Sequence, residues 1–290
     1  MEASIPEVRH VEAEPGVRLA VRIDGAAGTE GVPTVVFSNS LAADMGMWDE
    51  VAARLAPHAR LVRYDTRGHG RSDAPAGPYS LALLAADLAA VMDAAGIHRA
   101  VICGLSLGAF TGMRLAIDAP ERVAGLVLAN TAASFPPAAM WRDRARAARA
   151  DGLAPLVAPT LERWFTPAFR AARPERVAQI GAAIGAVSGE GYASCCEVLA
   201  SEDILAELGA VACPTRVIVG RHDPSTPPAR GEEIAAAIAG ADVCAVEGAH
   251  LSAVEAGDAF ADAVLDLLRR AGPGRTRNKT QETEPKEERP

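Results

Sequence analysis

The chain has 290 residues, 49% of them hydrophobic, with 37 acidic against 29 basic side chains and a formal net charge of -8. That supplies enough apolar material for one large core carrying an insertion. The acidic balance argues against nucleic acid or an anionic membrane surface as partner, because phosphates are bound by basic patches that displace their counterions. No run is apolar enough to cross a bilayer, and the start, Met1 to Glu7, lacks the basic and apolar regions of a secretion signal. The five cysteines form neither a paired framework nor a zinc spacing, so a cytoplasmic protein with reduced thiols is expected.

In chain order, residues 8–13 and 17–24 read as a hairpin turned at Glu14-Pro15-Gly16, and 33–38 as a short apolar strand. A helix over 47–56, a strand over 59–64, a helix over 80–95 and a strand over 99–103 follow. After a tight turn come a helix over 109–119, stopped by Pro120, and a strand over 123–129. This alternation predicts an α/β fold whose mostly parallel eight-stranded sheet is covered by helices on both faces. Residues 133–211 break the rhythm: they are rich in alanine and arginine, helical in period and interrupted by Pro155, Pro159, Pro167 and Pro174. They are expected to form a helical lid inserted between a first core segment, 1–132, and a second, 212–271. The second segment offers strands at 215–220 and 242–246 and a helix over 252–270, and the polar tail 272–290 is expected to be disordered.

The turn is the informative part. Val101 and Ile102 favour extended backbone, and Gly104-Leu105-Ser106-Leu107-Gly108 is the G-x-S-x-G pattern of a strand-to-helix corner that exposes a nucleophile. Glycines flank Ser106 because a side chain at either place would collide with the neighbouring strand or helix. An idle serine in a small-residue turn is the plain alternative. Two downstream residues weigh against it, each at the C-terminal end of its own strand. Asp223 lies in the loop after 215–220, and His250 follows 242–246. Serine, aspartate, histidine is the chain order of an α/β-hydrolase triad, and other serine hydrolase folds use other orders. His222 is the rival base, disfavoured because its acid would be its own neighbour. His10, His58, His69 and His98 are expected to be structural or exposed. In the loop Ser38 to Asp44, the Leu41 amide is the candidate oxyanion donor, paired with that of Leu107.

The segments FSNSLAADMGMWD (37–49), LVRYDTRGHGRSDAPAGPYS (61–80), CGLSLG (103–108), VLANTAASF (127–135) and GRHDPSTPP (220–228) resemble the 3-oxoadipate (β-ketoadipate) enol-lactonase family of α/β-hydrolases, over roughly residues 5–270. The elbow and the RGHG-x-SD loop are shared with many relatives. The Ser-Asn-Ser-Leu loop, where many hydrolases have His-Gly, and the Asn-Thr-Ala after 123–129 are more particular. Ala109 departs from the second glycine expected after GLSLG, and leaves the five-residue motif whole.

The resemblance implies opening of an enol-lactone ring to 3-oxoadipate during breakdown of aromatic compounds, by Ser106 with His250 and Asp223, without metal or organic cofactor. The implied partner is a small anionic lactone or ester, bound by a monomer or homodimer. Because the chain is acidic, a local cation should meet the substrate carboxylate. Arg142 in the early lid is the expected partner, with Trp141 as a pocket wall and Trp48 covering the other side. Another small-ester hydrolase, a methylesterase, a carbon–carbon bond hydrolase, a cofactor-free perhydrolase, or a ligand sensor that keeps the hydrolase fold would share the elbow.

Overall fold

The computed structural model describes residues 7–25 and 31–271, so the expected tail at 272–290 lies outside the described residues. The hairpin forms as β1 (Arg9–Glu14) and β2 (Val17–Gly25), followed by β3 (Thr34–Ser38), α1 (Asp49–Leu55), β4 (Arg60–Tyr64), α2 (Leu81–Ala94), β5 (Ala100–Leu105), α3 (Leu107–Asp118) and β6 (Val123–Ala129). The helical insertion comprises α4 (Ala138–Asp151), α5 (Val157–Trp164), α6 (Pro167–Ala172), α7 (Pro174–Gly185) and α8 (Gly189–Ser201). The core resumes with β7 (Thr215–Gly220), α9 (Pro228–Ala237), β8 (Asp242–Val246), α10 (Ser252–Glu255) and α11 (Gly257–Ala271).

The eight strands form one sheet in the order β1-β2-β4-β3-β5-β6-β7-β8. β2 pairs antiparallel with β1 and β4, and every other pairing is parallel. All residues of β3, β5 and β6 are buried, as continuous apolar strands must be when helices cover both faces. α1 packs on α11 and α2 packs on α3. β8 behaves differently: as an edge strand its burial alternates, and Val243 is 42% exposed.

After β3 the chain steps to one side to make β4, then crosses back to make β5 on the other side of β3. Such a reversal leaves a crevice outside the carboxyl ends of the two strands, where ligands of open α/β sheets bind. The loop after β3 and the corner after β5 both open there, and the helical insertion is strung between β6 and β7 above it.

Three local departures from the sequence reading have physical causes. β5 runs on to Leu105 and α3 starts at Leu107, because the corner takes a single residue instead of several. The expected helix 252–270 is two helices, broken at Ala256 before Gly257. Trp48 is fully buried, with its indole Nε1 donating to Asn39 Oδ1 at 2.8 Å and its ring packed between Phe37 and Phe260. It is a core residue and not a pocket wall.

Candidate active site

Ser106 occupies the corner with φ of +55°, a left-handed value that a residue with a Cβ adopts at a cost on the order of 1–2 kcal/mol. The surroundings hold it there. Its N–H donates to Ala129 O at 2.9 Å, its carbonyl accepts from Phe110 N and from Thr131 Oγ1, and the flanking glycines leave no room to relax. A Cβ on Gly108 would stand 2.0 Å from Ser38 O, and one on Gly104 would stand 2.4 Å from Ala109 N. These contacts press α3 against β3 and bring the nucleophile corner beside the loop that starts at Asn39.

Asp223 and His250 meet as the sequence predicts: His250 Nδ1 lies 2.8 Å from Asp223 Oδ2, and both residues are 4% exposed. Burial raises the Asp223 pKa, but the charge and hydrogen bond of His250, with hydrogen bonds from Asn130 and Thr226, outweigh it and hold the carboxyl below its usual range. An ionised carboxylate only accepts, so the proton of this bond sits on His250 Nδ1, and Nε2 is left free to take a proton from a nucleophile. Among the described residues Ser106 Oγ and His250 make no direct hydrogen bond; both side chains line one cavity of about 310 Å³.

Four further groups fix the acid. Asn130 Nδ2 donates to Asp223 Oδ2 at 2.8 Å, Thr226 Oγ1 donates to the same oxygen at 2.7 Å, and the amides of Ser225 and Thr226 donate to Oδ1. Asn130 is itself at φ of +45° and accepts from Ser252 Oγ just beyond His250. The sequence reading missed these roles, although an Asn immediately after a strand and a Thr three residues after an Asp are both turn signals.

The base is braced from the insertion. Leu251 N donates to Trp164 O at 3.0 Å, and the Trp164 ring lies 6.4 Å from the His250 ring. Glu255 accepts from Ala249 N at 2.9 Å and from the amide and hydroxyl of Thr166, tying the α5–α6 junction to the loop that carries the base.

The amides of Leu41 and Leu107, the expected oxyanion donors, have no hydrogen-bond partner among the described residues. Leu41 lines the cavity beside Ser106, and Leu107 opens α3, where helix N–H groups are unpaired and the dipole favours negative charge.

Lid residues form most of the cavity wall, and they correct one expectation. Trp141 lines it as expected, its Nε1 donating to Phe135 O at 2.7 Å and its ring edge-on to Phe135. Arg142 is exposed and does not line it. The cations that do are Arg144, stacked over Trp141 with its guanidinium carbon 4.9 Å from the ring centre, and Arg163, bonded to Thr160 Oγ1 at 3.2 Å. Neither forms an ion pair among the described residues, and burial together with the charge of Arg144 lowers the Arg163 pKa. The error was one of helical phase. In α4 the buried residues are Ala145 and Ala148, so the inward stripe runs through positions 141, 144, 145 and 148 and leaves 142 outside.

The match to a family model described as alpha/beta hydrolase fold covers residues 33–256. The chain is 40% identical to 3-oxoadipate enol-lactonase 2 of Acinetobacter baylyi, over 82% of this chain and 89% of that one, and 36% identical to that organism's 3-oxoadipate enol-lactonase 1, over 84% and 91%. The structure superposes on the crystal structure of the enol-lactonase from Burkholderia xenovorans with a TM-score of 0.86 at 40% identity, covering 89% of this chain and 99% of that one. A serine corner, a buried imidazole–carboxylate pair and these relatives agree: the chain belongs to the α/β-hydrolases and, within them, to the enol-lactonase family of lactone and ester hydrolases.

Proposed function

We propose that this enzyme opens the ring of 3-oxoadipate enol-lactone to 3-oxoadipate, in the cytoplasm, as a step in breakdown of aromatic compounds. The observation that carries the reading is a pair of arginines, Arg144 and Arg163, that form no ion pair among the described residues and line the same small, otherwise largely apolar cavity as Ser106 and His250. An anion is the ligand such a cavity lacks, and an enol-lactone that carries a free carboxylate supplies one.

In this reading Ser106 attacks the lactone carbonyl as His250 Nε2 removes its proton, and Asp223 stabilises the imidazolium that forms. The Leu41 and Leu107 amides hold the oxyanion. Collapse breaks the ring carbon–oxygen bond, His250 returns the proton, and the leaving oxygen departs as an enol that rearranges to a ketone. That rearrangement removes the oxygen that could close the ring again. Water, deprotonated by His250, then releases the acid from Ser106. The guanidiniums of Arg144 and Arg163 hold the carboxylate at the far end, which fixes the carbonyl over the serine.

The test is turnover of freshly generated enol-lactone, followed by loss of its ultraviolet absorbance, beside a panel of neutral esters of similar size. The reading expects the highest kcat/KM on the lactone and loss of turnover in Ser106→Ala. Preference for neutral esters or for perhydrolysis would replace it.

A further inference from the structure

The amide assigned as one oxyanion donor sits in a turn that its own residues do not favour. Ala43 N donates to Ser40 O at 3.1 Å, closing a four-residue turn with Leu41 and Ala42 at its centre, and Ala42 has φ of +68°. Turns with a positive φ at the third position normally place glycine there, because a Cβ opposes that conformation. In this chain the turn residue is alanine, so something outside the turn has to hold it.

The holding group is a histidine that the sequence reading set aside as structural or exposed. His69 is 1% exposed, and its Nε2 lies 3.0 Å from Ala42 N, while its Nδ1 lies 3.1 Å from Arg67 O. Both partners define the ring. An amide N–H can only donate and a carbonyl can only accept, so Nε2 carries the lone pair and Nδ1 the proton. Burial keeps the ring in that neutral form at ordinary pH, lowering its pKa to about 4. The far end of the arrangement is rigid as well: the Arg67 side chain is buried in a two-pronged ion pair with Asp87, both bonds 2.6 Å, and reaches Glu14 at 3.0 Å.

We infer that His69 is a positioning residue for catalysis, which holds Ala42 in its left-handed conformation and thereby keeps the Leu41 amide aimed at the oxyanion. The inference rests on Leu41 being a donor in the ester hydrolysis proposed above. It adds a chain of support running from Asp87 through Arg67 and His69 to the turn. Aligned donors of this kind act on the transition state far more than on the bound ester, so their misalignment lowers kcat and leaves KM nearly unchanged.

The experiment compares His69→Phe, which keeps ring volume and loses the acceptor, with His69→Gln, whose carboxamide oxygen can reach the place of Nε2. Rates are read on p-nitrophenyl acetate, so that a wrong lactone substrate and a wrong role for His69 give different results. Affinity for butylboronic acid, whose tetrahedral adduct on Ser106 fills the oxyanion position, is measured beside them by calorimetry. For His69→Phe the expectation is a fall in kcat of about tenfold to a hundredfold with KM within twofold, and a parallel loss of boronate affinity. His69→Gln recovers most of both. Adding Ala42→Gly to His69→Phe recovers part of kcat, because glycine takes the positive φ unaided. If His69→Phe does not fold, His69→Asn, too short to reach the amide, takes its place with the same expectations. Unchanged kcat and boronate affinity in the folded variant, or a fall in kcat that neither Gln at 69 nor Gly at 42 relieves, would overturn the inference.

Discussion

Replacing the cavity arginines by methionine separates recognition of the anion from the chemistry. A guanidinium bonded to a carboxylate away from bulk water contributes about 1.5–3 kcal/mol, or roughly 10- to 150-fold in binding. Arg163, half-buried and lowered in pKa by burial and by Arg144, stands toward the upper part of that range. Arg144, whose guanidinium already has one face stacked on Trp141, is placed nearer tenfold. The two cations repel each other in the empty site, so removing one relieves the other, and the double variant loses less than the product of the single losses. The assay is steady-state kinetics on the anionic enol-lactone and on a neutral ester of similar size. KM for the lactone rises in each single variant, KM for the neutral ester stays within twofold, and Arg142→Met changes neither. Folded stability holds or increases, since a partly buried charge that forms no ion pair among the described residues has been removed. Equal losses on charged and neutral substrates, or no loss on the lactone, would refute the assignment of these arginines.

Asp223→Asn, which replaces the acceptor of His250 Nδ1–H by a group able to donate, should lower kcat/KM by about 10⁴-fold while the fold persists by circular dichroism. Gly108→Ala forces a Cβ to within 2.0 Å of Ser38 O and 2.3 Å of Ser38 C, backbone atoms that cannot turn aside. A cost on the order of 3 kcal/mol is expected, seen as a Tm lower by roughly 10 °C in a thermal melt, with loss of activity as the loop after β3 is displaced. Stability should also depend on pH through His69. Its pKa falls from 6.5 in the unfolded chain to about 4 in the fold, so the unfolded state binds the extra proton between those values, and stability present above pH 6.5 is lost as pH falls toward 4. The full span is worth about 3 kcal/mol. Asp65, raised to about 6 by burial, works in the opposite direction over the same window. The His69 contribution is therefore read as the difference between denaturant titrations of the parent and of His69→Gln, and a pH-independent difference would contradict it.

What the sequence disclosed and what it hid divide along one physical line. Strand-ending positions in an alternating α/β pattern share one edge of the sheet by topology alone, so Ser106, Asp223 and His250 could be brought together without coordinates. Side-chain direction is another matter. Trp48 lies in a region where a core-facing and a cavity-facing aromatic give the same pattern, and the burial of its ring between Phe37 and Phe260 settled it only in three dimensions. Arg142 was a recoverable miss, because the small residues Ala145 and Ala148 mark which stripe of α4 is inward. Likewise Thr160 and Trp164, the buried residues of α5, place Arg163 on their side of that helix. His69 was hidden for a different reason: its partner is a backbone amide 27 residues away, and a main-chain donor leaves no trace in composition or spacing.

The bond from Leu251 to Trp164, with the Glu255 tie to Thr166, bears on any attempt to transplant the roof of this pocket. Cutting at the two sheet junctions and splicing in the corresponding segment of another hydrolase would keep every residue of the chemistry. Yet it would strand the main-chain donor of Leu251, next to the base, and leave Glu255 with Ala249 N but without its Thr166 partners. A chimera that ignores this would inherit a wobbling base together with its new specificity, whereas one that carries residues equivalent to Trp164 and Thr166 would change substrates without loosening the machinery beneath.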